Sequence, residues 1–105
     1  MDKAIVDADF KAIADRFVTR ELMPVIIGES GAVRHEGYEQ TRLEYFSYVY
    51  GKAHDFGLVP LYWDNGAFGS DGENFGLFNR VTGEPHSSES ETVIGTMIRA
   101  CGESN

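Results

Sequence analysis

Two short stretches carry the residues with chemical potential. In Pro24-Val25-Ile26-Ile27-Gly28-Glu29-Ser30-Gly31-Ala32 an apolar run ends abruptly in a carboxylate flanked by glycines. In Leu58-Val59-Pro60-Leu61-Tyr62-Trp63 a second apolar run ends in an indole and breaks at Asp64-Asn65-Gly66, a strong turn signal. An acid beside a large aromatic ring suits a sugar. The ring stacks on the apolar C–H face of the pyranose, and a carboxylate works at the anomeric carbon. Each residue also has a plain reading, Glu29 as a loop carboxylate satisfied by backbone N–H groups and Trp63 as a core residue at a strand end.

The elements around these stretches decide whether the two residues can meet. Val25-Ile26-Ile27, β-branched and bounded by Pro24 and Gly28, reads as a strand over 24–28 buried on both faces. Residues 58–63 read as a second strand of the same kind. Between them an amphipathic helix is expected from about Glu39 to Phe56, with Leu43, Phe46, Val49, Tyr50 and Ala53 on its inner stripe and Gly57 as the stop. Strand, helix and strand in that order form a right-handed parallel unit. Glu29 and Trp63 then fall on one face, at the carboxyl ends of adjacent strands, where catalytic groups gather in parallel α/β folds.

Upstream, Asp7 or Asp9 can cap a helix carrying Phe10, Ile13, Ala14, Phe17 and Val18. Downstream, residues 66–85 hold glycines at 66, 69, 72, 76 and 83, which suggests a long loop with a hairpin inside it. Ser88 and Glu91 make a capping box for a last helix through Val93, Ile94, Met97, Ile98 and Cys101. Two parallel strands leave unpaired edges and uncovered apolar faces, so the chain reads as an incomplete sheet that completes itself by association, expected here as a homo-oligomer.

Composition narrows the function classes. The 105 residues suffice for one domain, 1–105. A net charge of −8 argues against nucleic acid, which needs a basic footprint. The single cysteine, Cys101, excludes an intrachain disulfide and a multi-cysteine metal site, and reads as a packed thiol. His35, His54 and His86 show no metal spacing, so neither metal nor cofactor is expected. No stretch approaches the ~20 apolar residues of a membrane span, and the opening residues carry no signal-peptide core. Gly28-Glu29-Ser30-Gly31-Ala32 is similar to the GDSGG around the nucleophile of chymotrypsin-like serine proteases, which would make Ser30 reactive. The βα surroundings, Ala32 in place of the last glycine and the short chain all speak against that reading.

The motifs PVIIGESGA, Arg42 early on the following helix, LYWDNG and FGLFNR, in that order and spacing, resemble the C-terminal part of glycoside hydrolase family 5, closest to its bacterial endo-β-1,4-glucanases (cellulases). The resemblance runs from about residue 9 to 100. It implies an α/β fold, a fragment of a (β/α)8 TIM barrel with helix 6, strand 7, helix 7, strand 8 and helix 8. It further implies retaining hydrolysis of β-1,4-glucan, with Glu29 as nucleophile, Trp63 stacking on the sugar and Asn65 as a polar contact. It implies secretion, since the polymer is extracellular. Ser30 departs from the family, which often carries Phe there. The acid/base glutamate of the family, in an Asn-Glu pair on strand four, has no counterpart in these residues. The alternative is a non-catalytic carbohydrate-binding or structural barrel fragment, using Trp63 with Phe68 and Phe75.

Overall fold

A computed structural model describes residues 2–19, 24–32, 34, 37–66 and 75–102, so Phe68 lies outside the described residues. The first helix, α1 (Lys3–Ile13), begins earlier than the expected cap at Asp7 or Asp9. Asp2 is the cap, its Oδ1 accepting from the N–H groups of Ala4 (3.0 Å) and Ile5 (3.3 Å), two of the donors a helix start leaves unpaired. Asp7 instead accepts a hydrogen bond from the Tyr48 hydroxyl at 2.6 Å, joining α1 to the next helix. The end of α1 widens into a π-helical turn over Ala14–Val18.

Strands β1 (Val25–Ser30) and β2 (Leu58–Tyr62) pair in parallel, as the order of elements requires, and form a two-stranded sheet. The expected first strand, 24–28, is corrected at both ends: it starts at Val25 and runs through Glu29 and Ser30. Helix α2 (Glu39–Asp55) crosses from one strand to the other and ends at Gly57, whose φ of +76° is the left-handed turn that glycine adopts most readily. The last helix, α3 (Ser88–Ala100), is capped by Ser87, not Ser88. The Ser87 side chain accepts from the Ser90 N–H at 3.2 Å, so the cap lies one residue earlier than the expected pair of Ser88 and Glu91, and Ser90 is itself buried.

The core lies on one side of the sheet. Phe46, Val49 and Tyr50 of α2 pack with Val93 of α3 and with Leu77 from the preceding loop. Phe46, wholly buried, meets Tyr45 and Tyr50 edge-on at 5.2 and 5.5 Å between ring centroids, and Tyr62 of β2 at 5.6 Å. Cys101 packs against this cluster, and burial pushes its thiol up from the usual range, in keeping with a packed thiol. The expected hairpin is present in part, as a single antiparallel bridge between Phe78 and Pro85 closed by a turn over Asn79–Glu84.

Among the described residues no element covers the other side of the sheet. Ile26, Val59, Leu61 and Trp63 remain 59, 51, 47 and 45% exposed. Parallel strands are normally covered on both faces, so this chain presents the strand composition of a buried sheet with half its cover.

Candidate active site

The register of the sheet sets the direction of Glu29. Val25, Ile26 and Ile27 pair with Leu58, Val59 and Pro60, which puts Val25 and Ile27 on the α2 side and Ile26 on the bare side. Simple alternation would send Glu29 to the α2 side with them. The register then shifts, and Ser30 pairs with Tyr62, so Gly28 and Glu29 together oppose Leu61. This is a β-bulge, and it reverses the phase of everything beyond it. Exposure follows suit: Ile26, Gly28 and Glu29 are exposed while Val25, Ile27 and Ser30 are half-buried. The strand alternation thus ends at Glu29, which stands exposed at the carboxyl end of β1.

Glu29 and Trp63 line one groove of about 660 Å³ between α1 and the sheet, together with Phe10, Ile27, Tyr45 and Phe75. The Trp63 N–H donates to the Ser30 carbonyl at 2.8 Å, fixing the start of one loop to the end of the other strand. Ser30 is structural here. Its hydroxyl donates to the Leu61 carbonyl (2.8 Å) and lies 2.5 Å from the Tyr50 hydroxyl, which disposes of a protease-like role. A side chain at Gly31 would meet the rings of Tyr62 at 3.1 Å and Phe75 at 3.3 Å, so the glycine after the acid makes room for the aromatic wall beside it.

Three polar side chains around Trp63, those of Tyr62, Asp64 and Asn65, brace the second loop. The Tyr62 hydroxyl donates to the Phe75 carbonyl at 2.5 Å, and Asn65 Oδ1 accepts from the Phe75 N–H at 3.3 Å. Between them Asp64 Oδ2 accepts from Leu77 (3.0 Å) and Phe78 (3.4 Å), and Oδ1 accepts from Gly66 at 2.7 Å. Arg80 donates to the Asp64 carbonyl at 2.7 Å. Burial raises the Asp64 pKa, but the N–H groups of Leu77, Gly66 and Phe78 with the Arg80 charge outweigh it and hold the carboxyl below the usual range. A carboxylate held ionised in this way is a poor general acid.

Arg42 is a residue the sequence placed only as a motif position. It is 5% exposed, donates from Nε to the Ala32 carbonyl at 3.1 Å and from Nη2 to the Tyr62 hydroxyl at 3.4 Å, and faces Glu89 of α3 at 3.7 Å. One guanidinium thus ties the loop after β1 to the end of β2. The only sequence signal was a cation one helical turn before Phe46 on the apolar stripe.

No family model matches the chain. Endoglucanase A of Paenibacillus barcinonensis is 41% identical over 80 residues, which are 71% of this chain and 19% of that protein. A GH5-4 broad-specificity endoglucanase from Bacteroides salanitronis superposes with a TM-score of 0.88 at 33% identity, over 98% of this chain and 27% of its own. The chain is related to part of a family 5 glycoside hydrolase. A family 5 lichenase mutant from Caldicellulosiruptor sp. F32, solved with cellotetraose, superposes at a TM-score of 0.81 and 33% identity over 94% of this chain and 25% of its own. The two βα units are accordingly part of a (β/α)8 barrel. The chain spans about a fifth of the length of the curated relative and about a quarter of the solved family 5 structures.

Proposed function

We infer that the chain contributes one side of a β-1,4-glucan-hydrolysing site. In this reading β1 and β2 are barrel strands seven and eight, Glu29 is the nucleophile of a retaining mechanism, Trp63 is the platform for the sugar beside the cleaved bond, and Asn65 adds a polar contact. The observation that carries the reading is that Glu29 and Trp63, at the carboxyl ends of two parallel strands, line one groove. The family 5 relatives named endoglucanase and the lichenase solved with cellotetraose support the substrate class.

Retention needs a second carboxyl group roughly 5–5.5 Å from the first to protonate the leaving oxygen. Asp64 is committed to backbone N–H groups and to Arg80. Asp71 and Glu73, the other acids of that loop, lie outside the described residues. The acid is therefore sought outside the described residues, with a second copy of this chain covering the exposed side of the sheet as one arrangement that would bring it, and the site of action is placed outside the cell, where polymeric glucan is found.

The test compares wild type with Glu29→Gln on an aryl cellobioside, whose good leaving group needs little protonation. The expected result is a measurable wild-type rate that Glu29→Gln abolishes, while unactivated glucan, whose leaving alcohol needs a proton, is cleaved ~10²–10⁴-fold more slowly than with general acid assistance. Equal background rates in both proteins would remove the nucleophile assignment.

A further inference from the structure

We propose that Asp64 is a positioning residue, the brace that holds Trp63 and Asn65 in their working orientation by anchoring the segment 75–78 beneath them. The proposal rests on the reading of Trp63 as a sugar platform. Asp64 lies between the two residues in the chain, and its carboxylate turns away from solvent toward the backbone of Gly66, Leu77 and Phe78. Those three N–H groups have a charged acceptor, and charge-assisted hydrogen bonds are roughly twice as strong as neutral ones. Arg80 closes the remaining side, 3.7 Å from Oδ1, while donating to the Asp64 carbonyl.

The flanking contacts act in the same direction. Tyr62 and Asn65 grip Phe75 from its carbonyl and its N–H, so the segment is held at two points along its length. Phe75 also forms a wall of the groove that contains Glu29 and Trp63. Without the Asp64 anchor the segment keeps its grip at Phe75, the Phe78–Pro85 bridge and the buried Leu77, but loses the carboxylate that ties it to the turn carrying Trp63 and Asn65. The residue acts through its neighbours and has no place on the substrate.

Trp63 is the one tryptophan of the chain, so its emission reports on this site. The test measures emission maximum and acrylamide quenching of wild type, Asp64→Asn and Asp64→Glu without ligand, then titrates each with cellotetraose. Asp64→Asn keeps one oxygen for Gly66 but sets an amide donor against the N–H groups of Leu77 and Phe78. It is expected to shift Trp63 emission to the red, to raise quenching and to weaken cellotetraose about tenfold. Asp64→Glu, which keeps the charge one methylene away, is expected to fall between the two, and it decides the matter if the asparagine variant loses its helical circular dichroism. Ligand-free emission and quenching equal to wild type in a folded variant would overturn the proposal. A wild-type protein whose Trp63 ignores cellotetraose would count against the sugar platform instead, while the ligand-free comparison still judges Asp64.

Discussion

The two faces of the sheet have nearly the same composition and opposite surroundings. On the α2 side, Leu58 is 2% exposed and Tyr62 packs against the wholly buried Phe46. On the other side Ile26, Val59 and Leu61 are about half exposed beside Trp63 and Glu29. Strand sequence alone does not distinguish them, because both faces are apolar. The difference teaches that stability and function are separated across the sheet. The helix side holds the strands in place, the bare side lacks a cover, and the candidate chemistry sits at the carboxyl ends of the strands.

The largest effect expected from that separation lies at Phe46. Its ring has no solvent exposure and touches three other aromatic rings, so Phe46→Ala removes burial and leaves a cavity that the surrounding helices cannot collapse into freely. A loss of ~3–5 kcal/mol is expected, measured by urea unfolding. A loss below about 1 kcal/mol would mean that the core is not where the covered face puts it.

A smaller effect on the same side depends on pH. Burial pushes the Tyr50 phenol up to about 12, against the opposing influence of its bond to Ser30. The protonated phenol is the form the fold prefers, and its unfolded value is about 10. Its contribution is therefore complete below pH of about 10 and is lost as pH rises through about 12. Burial also raises Tyr45 and Tyr62, so the decline is shared. Tyr50→Phe is expected to make the alkaline loss of stability shallower without removing it, as followed by urea unfolding and tyrosinate absorbance at rising pH.

Legibility in the sequence divided along physical lines. The parallel βαβ unit and the inner stripe of α2 were readable because hydrophobic periodicity is a local signal and Phe46, Val49, Tyr50 and Ala53 are buried where it puts them. The placement of Glu29 beside Trp63 was readable only to the level of strand ends. The strand ends in a bulge, and Gly28-Glu29 does not announce one, since a register shift depends on the partner strand. Arg42 and Asp64 were missed as braces for a similar reason. Their partners, Ala32, Tyr62 and Glu89 for one and Leu77 and Phe78 for the other, come from elements distant in sequence. The helix caps were off because aspartates and serines cluster at both starts, and the choice among them is made by tertiary contacts such as the Asp7–Tyr48 bond.

The smallest effect on stability is expected on the bare face, and it is also the sharpest test of what that face is for. Ile26 and Leu61 already leave about half their surface in water, at 59 and 47% exposed, so exchanging them for threonine forfeits little burial. Threonine is β-branched, a shape that suits a strand. For Ile26→Thr with Leu61→Thr, the cost to a single chain should stay within about 0.5 kcal/mol per site, the range of ordinary surface changes. Association is a different matter. If a second copy covers this face, two hydroxyls are carried into an apolar interface without partners, which costs ~1–3 kcal/mol for each. Light scattering should then find wild type above the mass of one chain and the double variant at that mass, with the midpoint of unfolding dependent on concentration only in wild type. Identical masses for the two proteins would break the comparison: the bare face would be no contact between copies, and a second copy would supply neither the cover nor the acid.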